Sequence, residues 1–205
     1  MKRRDLLKFS LAATAGSLAV SSASAQQACA TDGTPAQFTP KKAADAKPQE
    51  NDIEKFPKCP YCGMDRKMFH HSRMLIQYSD DLPDGTCSLH CASISLAVNI
   101  DREPKAMWVG DNAAATEIKP LVDVDKATFL IGSQIKGVMT KRSKVAFSNE
   151  DAAKAAMAAN GGGELGNFDK ALLAAYTDMA QDASMIRKMR EERRKRAAAA
   201  MDHKH

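Results

Sequence analysis

A chain of 205 residues, 44% hydrophobic but only 5% aromatic, can bury one medium core or two small ones, and must fill them mostly with small aliphatic side chains. No internal run reaches the roughly eighteen consecutive apolar residues of a membrane span. The net charge of +5 sits at the chain ends, leaving a mildly acidic middle, so it does not argue for a nucleic-acid partner.

The first 25 residues read as a targeting segment, not as fold. Lys2, Arg3 and Arg4 form a charged start, Phe9 to Val20 a short apolar stretch, and Ala23-Ser24-Ala25 a small-x-small cleavage site. Arg3-Arg4 followed by Asp-Leu-Leu-Lys resembles a twin-arginine export signal, which predicts a soluble protein in the periplasm. Gln26-Gln27-Ala28 is a poor lipobox, so no lipid anchor is expected at Cys29. Residues 26–55 carry Pro35, Pro40 and Pro48 with few large apolar residues and read as a flexible linker, with order expected from Phe56.

Beyond the linker the pattern predicts an α+β fold. Met74–Tyr78 is strand-like, residues 80–85 form a turn, Thr86–Ser88 is a short return strand, Leu89–Ile100 a helix, and Ala106–Val109 the next strand. Ala127–Ile131 and Lys144–Phe147 are strand-like, Asn149–Asn160 is a helix closed by Gly161-Gly162-Gly163, and Leu165–Phe168 is a last strand. Each half thus follows strand, turn, strand, helix, strand. The expectation is two small ββαβ domains, residues 56–115 and 116–180, related by internal duplication. A helix from Asp169 leads into a basic helical tail over residues 181–205.

The chemistry concentrates in KCPYCGM, residues 58–64. Cys59 and Cys62 lie two residues apart, and Cys87 and Cys91 follow at helical spacing. In an oxidising compartment such cysteines also serve as disulfides. Two close-spaced disulfides close small loops and constrain little, whereas a pair bridging the segments would staple more. As a metal site, CxxC with CxxxC offers four thiolates, for which zinc is the default. Met64 after Cys62, with Met68, Met74 and Met139 elsewhere, adds thioethers, the ligand type that selects Cu(I). His70, His71 and His90 lie nearby, each expected at the surface. A thioredoxin-like redox motif fits less well, because Gly63 follows Cys62 at once where that motif opens a helix.

Cys62-Gly63-Met64 resembles the CGM motif of the NosL family, accessory proteins of nitrous oxide reductase. The second half is similar too, in Gly132-Ser133, Gly137, Met139, Ala146-Phe147, Gly161-Gly162 and Phe168-Asp169. The resemblance covers roughly residues 56–180. It implies an exported, non-catalytic Cu(I) carrier supplying nitrous oxide reductase beside an ABC-type membrane complex. Cys62 and Met64 would be the primary ligands and Met139 a further one. Cys59, Cys87 and Cys91 depart from that pattern; with CPxCGM they are similar to TRASH and YHS metal-binding modules over about residues 58–92. They would complete the copper site or hold zinc. The tail basic run Arg193-Arg194-Lys195-Arg196 suits peripheral contact with an anionic membrane or an acidic partner, or is simply a solvated helix with no role.

Overall fold

The computed structural model describes residues 38–202. The export segment, Cys29, His203 and His205 lie outside them.

Among the described residues, seven strands and four α-helices follow one another: α1 (Asp52–Lys55), β1 (Met74–Tyr78), β2 (Pro83–Thr86), α2 (Leu89–Val98), β3 (Pro104–Gly110), β4 (Leu121–Asp123), β5 (Thr128–Ile131), β6 (Lys144–Phe147), α3 (Glu150–Ala159), β7 (Glu164–Gly166) and α4 (Phe168–Asp202). They form an α+β protein with two antiparallel sheets, ordered β2-β1-β3-β4 and β6-β5-β7. In each sheet the first strand of the unit is central, flanked by its hairpin partner and by the strand that returns after the helix. The two units share this wiring.

The sheets do not keep separate interiors. Met74, Ile76 and Val109 of the first pack in one cluster with Phe129 and Ile131 of the second and with Phe168, Ala171 and Ala175 of α4. Asn112 donates its backbone N–H to Ala146 O at 2.9 Å, beside a parallel bridge between Asp111 and Ala146. Strand β4 lies beyond residue 115 yet pairs with β3 of the first sheet. The break expected at 115/116 is therefore crossed by a strand, because β3 needs a partner for its free edge.

Three more positions differ from the sequence reading. The return strand is Pro83–Thr86, not Thr86–Ser88. Pro83-Asp84-Gly85 reads as a turn, but the chain reverses earlier: Asp81 takes the left-handed conformation (φ 61°) and donates to Tyr78 O at 2.9 Å. An edge strand tolerates Pro83, and Gly85 is required there, because a Cβ would lie 2.7 Å from that of Phe56. Order also extends upstream of Phe56, since α1 carries a buried Asp52 and Asp45 donates its backbone N–H to Asp81 O at 2.9 Å. Finally, α4 passes through residues 180/181 as one 35-residue helix, with no break before the basic segment.

Asp52 anchors a buried charge network. Its carboxylate accepts from Arg66 Nη2 at 2.8 Å and from Arg73 Nε and Nη2 at 2.9 and 3.0 Å. Arg66, fully buried, also donates to the carbonyls of Asp52, Phe56, Met74 and Thr86. All five guanidinium donors are thereby used.

A shared core predicts shared melting. Phe129→Ala, at the junction of the sheets, is expected to cost about 3–5 kcal/mol and to lower one cooperative transition. Tryptophan fluorescence of Trp108 in the first sheet and far-UV circular dichroism should lose signal at the same denaturant concentration. Separate transitions would refute the single core.

Candidate metal centre

Two chain segments bring four thiols together. In the first, Cys59 N–H donates to Met64 O and Gly63 N–H to Cys59 O, each at 2.9 Å. This closes a tight turn, with Gly63 in the left-handed region (φ 77°), that aims Cys59 and Cys62 inward. In the second, Thr86 ends β2 and Ser88 caps α2, so Cys87 lies just before the helix and Cys91 within its first turn. The two cysteines meet through this strand-to-helix corner and not as neighbours on one helix face.

The sulfur of Cys62 lies 3.4 Å from that of Cys87, which lies 3.8 Å from that of Cys91. All four sulfurs fall within 4.8 Å of one another, and all four cysteines are free thiols. Tetrahedral metal–sulfur bonds of ~2.3 Å would set sulfurs ~3.8 Å apart, so this cluster could hold a metal ion. Cys59, Cys87 and Cys91 are buried, and Cys62 is partly exposed.

A soft shell surrounds the thiols. Tyr61, Met64, Phe69, Val138 and Met139 pack on them. Met139 arrives from the long loop between β5 and β6, in a left-handed conformation (φ 60°) uncommon for a side chain of its size. Three contacts to α4 secure this loop and its stem: Lys141 N–H donates to Asp182 Oδ1 at 3.0 Å, and Arg142 and Lys144 bond Asp178 at 2.9 and 2.8 Å. Met74 is core and Met68 lies exposed, so neither joins the cluster.

Proximity divides the thiols electrostatically. Hydrogen bonds from Cys62, then Cys87 and Cys91, pull the Cys59 pKa far down. The same bonds hold Cys87 and Cys91 far above an ordinary thiol, and burial adds to this. The bond to Cys59 raises the Cys62 pKa, but those to Cys87 and Cys91 outweigh it and leave Cys62 below its ordinary value too. Cys59 and Cys62 thus give up their protons readily, Cys87 and Cys91 reluctantly. A cation replacing the shared protons would relieve that reluctance.

His90 is buried, not at the surface, with Nδ1 3.4 Å from Asp182 Oδ2. Neither atom makes a hydrogen bond among the described residues, so the two buried groups face each other as a charge pair alone. Asp182 thereby touches both α2, which carries Cys91, and the Met139 loop. Burial lowers the His90 pKa from 6.5, and Asp182 opposes this. His70 and His71 lie beside the C-terminal end of β3, where Asn112 Nδ2 donates to His71 O and His70 Nδ1 accepts from Lys119 N–H.

Fold and site together define a two-sheet α+β protein with a soft, four-thiol cluster suited to a metal ion. The sequence model of the NosL family matches residues 50–172, and the chain belongs to that family. Among solved structures, the copper chaperone NosL from Shewanella denitrificans shares 24% identity, covering 63% of this chain and 95% of that one, with a TM-score of 0.47. The apo-NosL protein from Achromobacter cycloclastes, solved by solution NMR, shares 23% identity over 47% and 82% of the two chains, with a TM-score of 0.35. No curated protein matches.

Two outcomes are expected of the metal-free, reduced protein. Brief alkylation followed by peptide mapping should modify Cys62 before Cys59, Cys87 or Cys91, because it alone of the four is partly exposed; equal labelling would contradict the geometry. The depressed His90 pKa predicts that the unfolded state binds the proton more readily. Its contribution is therefore present above pH ~6.5 and is lost as pH falls through the lower folded value. Denaturant midpoints should drop on acidification below pH 6.5, and His90→Gln should flatten that slope.

Proposed function

We propose that this protein is an exported Cu(I) carrier that supplies copper during the maturation of nitrous oxide reductase. The reading is supported chiefly by the association of four thiols with two thioether side chains, Met64 and Met139, in one soft pocket of a NosL-family chain. The export signal read over residues 1–25 is consistent with it. The role is also the one for which the Shewanella protein is named, a copper chaperone.

In this reading the carrier performs no catalysis. Copper enters and leaves by ligand exchange. The partly exposed Cys62 is the first thiolate an incoming donor or acceptor would meet. Met64, two residues on, adds a neutral sulfur that binds Cu(I) weakly and so releases it readily. Cys59, Cys87 and Cys91 hold the ion from the buried side, and Met139 covers it. The proposed recipient is the reductase, acting with its membrane-bound ABC-type assembly complex.

The closeness of the four sulfurs, all within 4.8 Å of one another, favours a second reading, a structural zinc, because zinc takes four thiolates where a transferable Cu(I) needs fewer. One titration separates the two. Anaerobic competition of the full chain with a Cu(I) chelator is expected to show one tightly bound ion. Cys62→Ser should weaken it on the order of 100-fold and Met64→Leu by about tenfold. Protein isolated with one zinc that Cu(I) does not displace, and that unfolds on chelation, would support the second reading and overturn the first.

A further inference from the structure

Two buried guanidiniums, Arg66 and Arg73, share the single carboxylate of Asp52. Their side chains are 0% and 4% exposed, and that of Asp52 is 7% exposed. The trio carries one positive charge beyond what it neutralises, in a place where an unbalanced charge is costly. The other buried carboxylate of this region is Asp84. Its Oδ2 is occupied by the hydroxyls of Tyr61 and Ser95, each at 2.6 Å, and burial raises its pKa, so it is a poor counter-ion. The thiol cluster is a further source of negative charge, and Cys59 interacts electrostatically with Arg66.

Arg66 is placed to feel that cluster. Its Nε donates at 3.1 Å to the carbonyl of Thr86, the residue before Cys87, and its Nη1 at 2.7 Å to the carbonyl of Phe56, three residues before Cys59. Its own backbone N–H donates to Pro57 O at 2.9 Å, closing the CxxC segment from below. The planar fork therefore holds its charge between both cysteine-bearing segments.

We infer that Arg66 is a positioning residue of the metal centre: held between the CxxC turn and the β2–α2 corner, it supplies the positive charge that a metal–thiolate complex requires. A Cu(I) ion on two thiolates leaves the site at −1, and further thiolates make it more negative. The surplus charge of the arginine pair offsets this without a side chain that titrates near neutrality. The inference rests on the proposed metal reading, and its test is built to separate the two.

The test compares the full-length reduced chain with Arg66→Lys and Arg66→Gln in anaerobic Cu(I) competition, with folding of each checked by circular dichroism. The charge role predicts that Arg66→Gln weakens Cu(I) binding about tenfold or more while Arg66→Lys restores it to within about threefold. Equal losses in both variants, or none in the glutamine variant, would overturn the inference while leaving the metal reading intact. A wild-type chain that binds no Cu(I) overturns the metal reading and this inference with it. Asp52→Asn gives an independent arm should the glutamine variant not fold. It enlarges the unbalanced charge, so Cu(I) should raise its melting temperature by more than it raises that of the wild type. An equal or smaller increment counts against the charge role.

Discussion

One carboxylate holds the first sheet and the thiol site in register. Asp52 lies in a single turn of helix upstream of the sheet, and its two oxygens receive both Arg66 and Arg73. Through Arg66 it fixes the carbonyls of Phe56, Met74 and Thr86, which belong to three separate segments. Through Arg73 it reaches His70 O, shortly before β1, and Lys119 O, shortly before β4. Breaking such a buried pair leaves a charge uncompensated, at a cost of about 3–5 kcal/mol. The network is thus a joint in which the CxxC turn, the hairpin and the β3–β4 connection meet.

The site is built from opposites held close. Three thiols are buried and one is partly open, and one segment is a tight turn while the other is a strand-to-helix corner. The thioether side comes from farther still: Met139 is delivered by a loop of the other sheet, tethered to α4 at Asp178 and Asp182. The pocket therefore cannot form until both sheets and α4 have docked. Its assembly reports on the whole core, not on one half.

What the sequence disclosed follows from which signals are local. Local patterning located β1, α2, β5 and β6, and the first-turn acids and closing glycines located α3, which fully buries only Ala153. Patterning misplaced β2, where Pro83-Asp84-Gly85 has the composition of a turn and becomes a strand through pairing with β1. The four cysteines and Met64 were visible by spacing, and Met139 by resemblance. Asp52, Arg66 and Asp182 carried no such mark. Asp52 sits in a polar stretch that reads as linker, and Asp182 on a helix whose charges look solvated. Their importance comes from partners 8 to 92 positions away, which only the tertiary fold supplies.

The length of α4 has a consequence of its own. Its 35 residues would span ~52 Å at 1.5 Å per residue, yet from Arg187 to Met201 its side chains are exposed. A free peptide of that basic composition would be only marginally helical, because nucleating the first turn is unfavourable. Here that step is already complete: the turns packed on α2 and β5 act as the seed, and the basic segment only propagates from it, aided by the i,i+4 pairs of Lys195 with Glu191 and Arg196 with Glu192. Backbone protection along α4 should therefore decay as a gradient from the body outward, a rod stiff at its root and fraying at its tip.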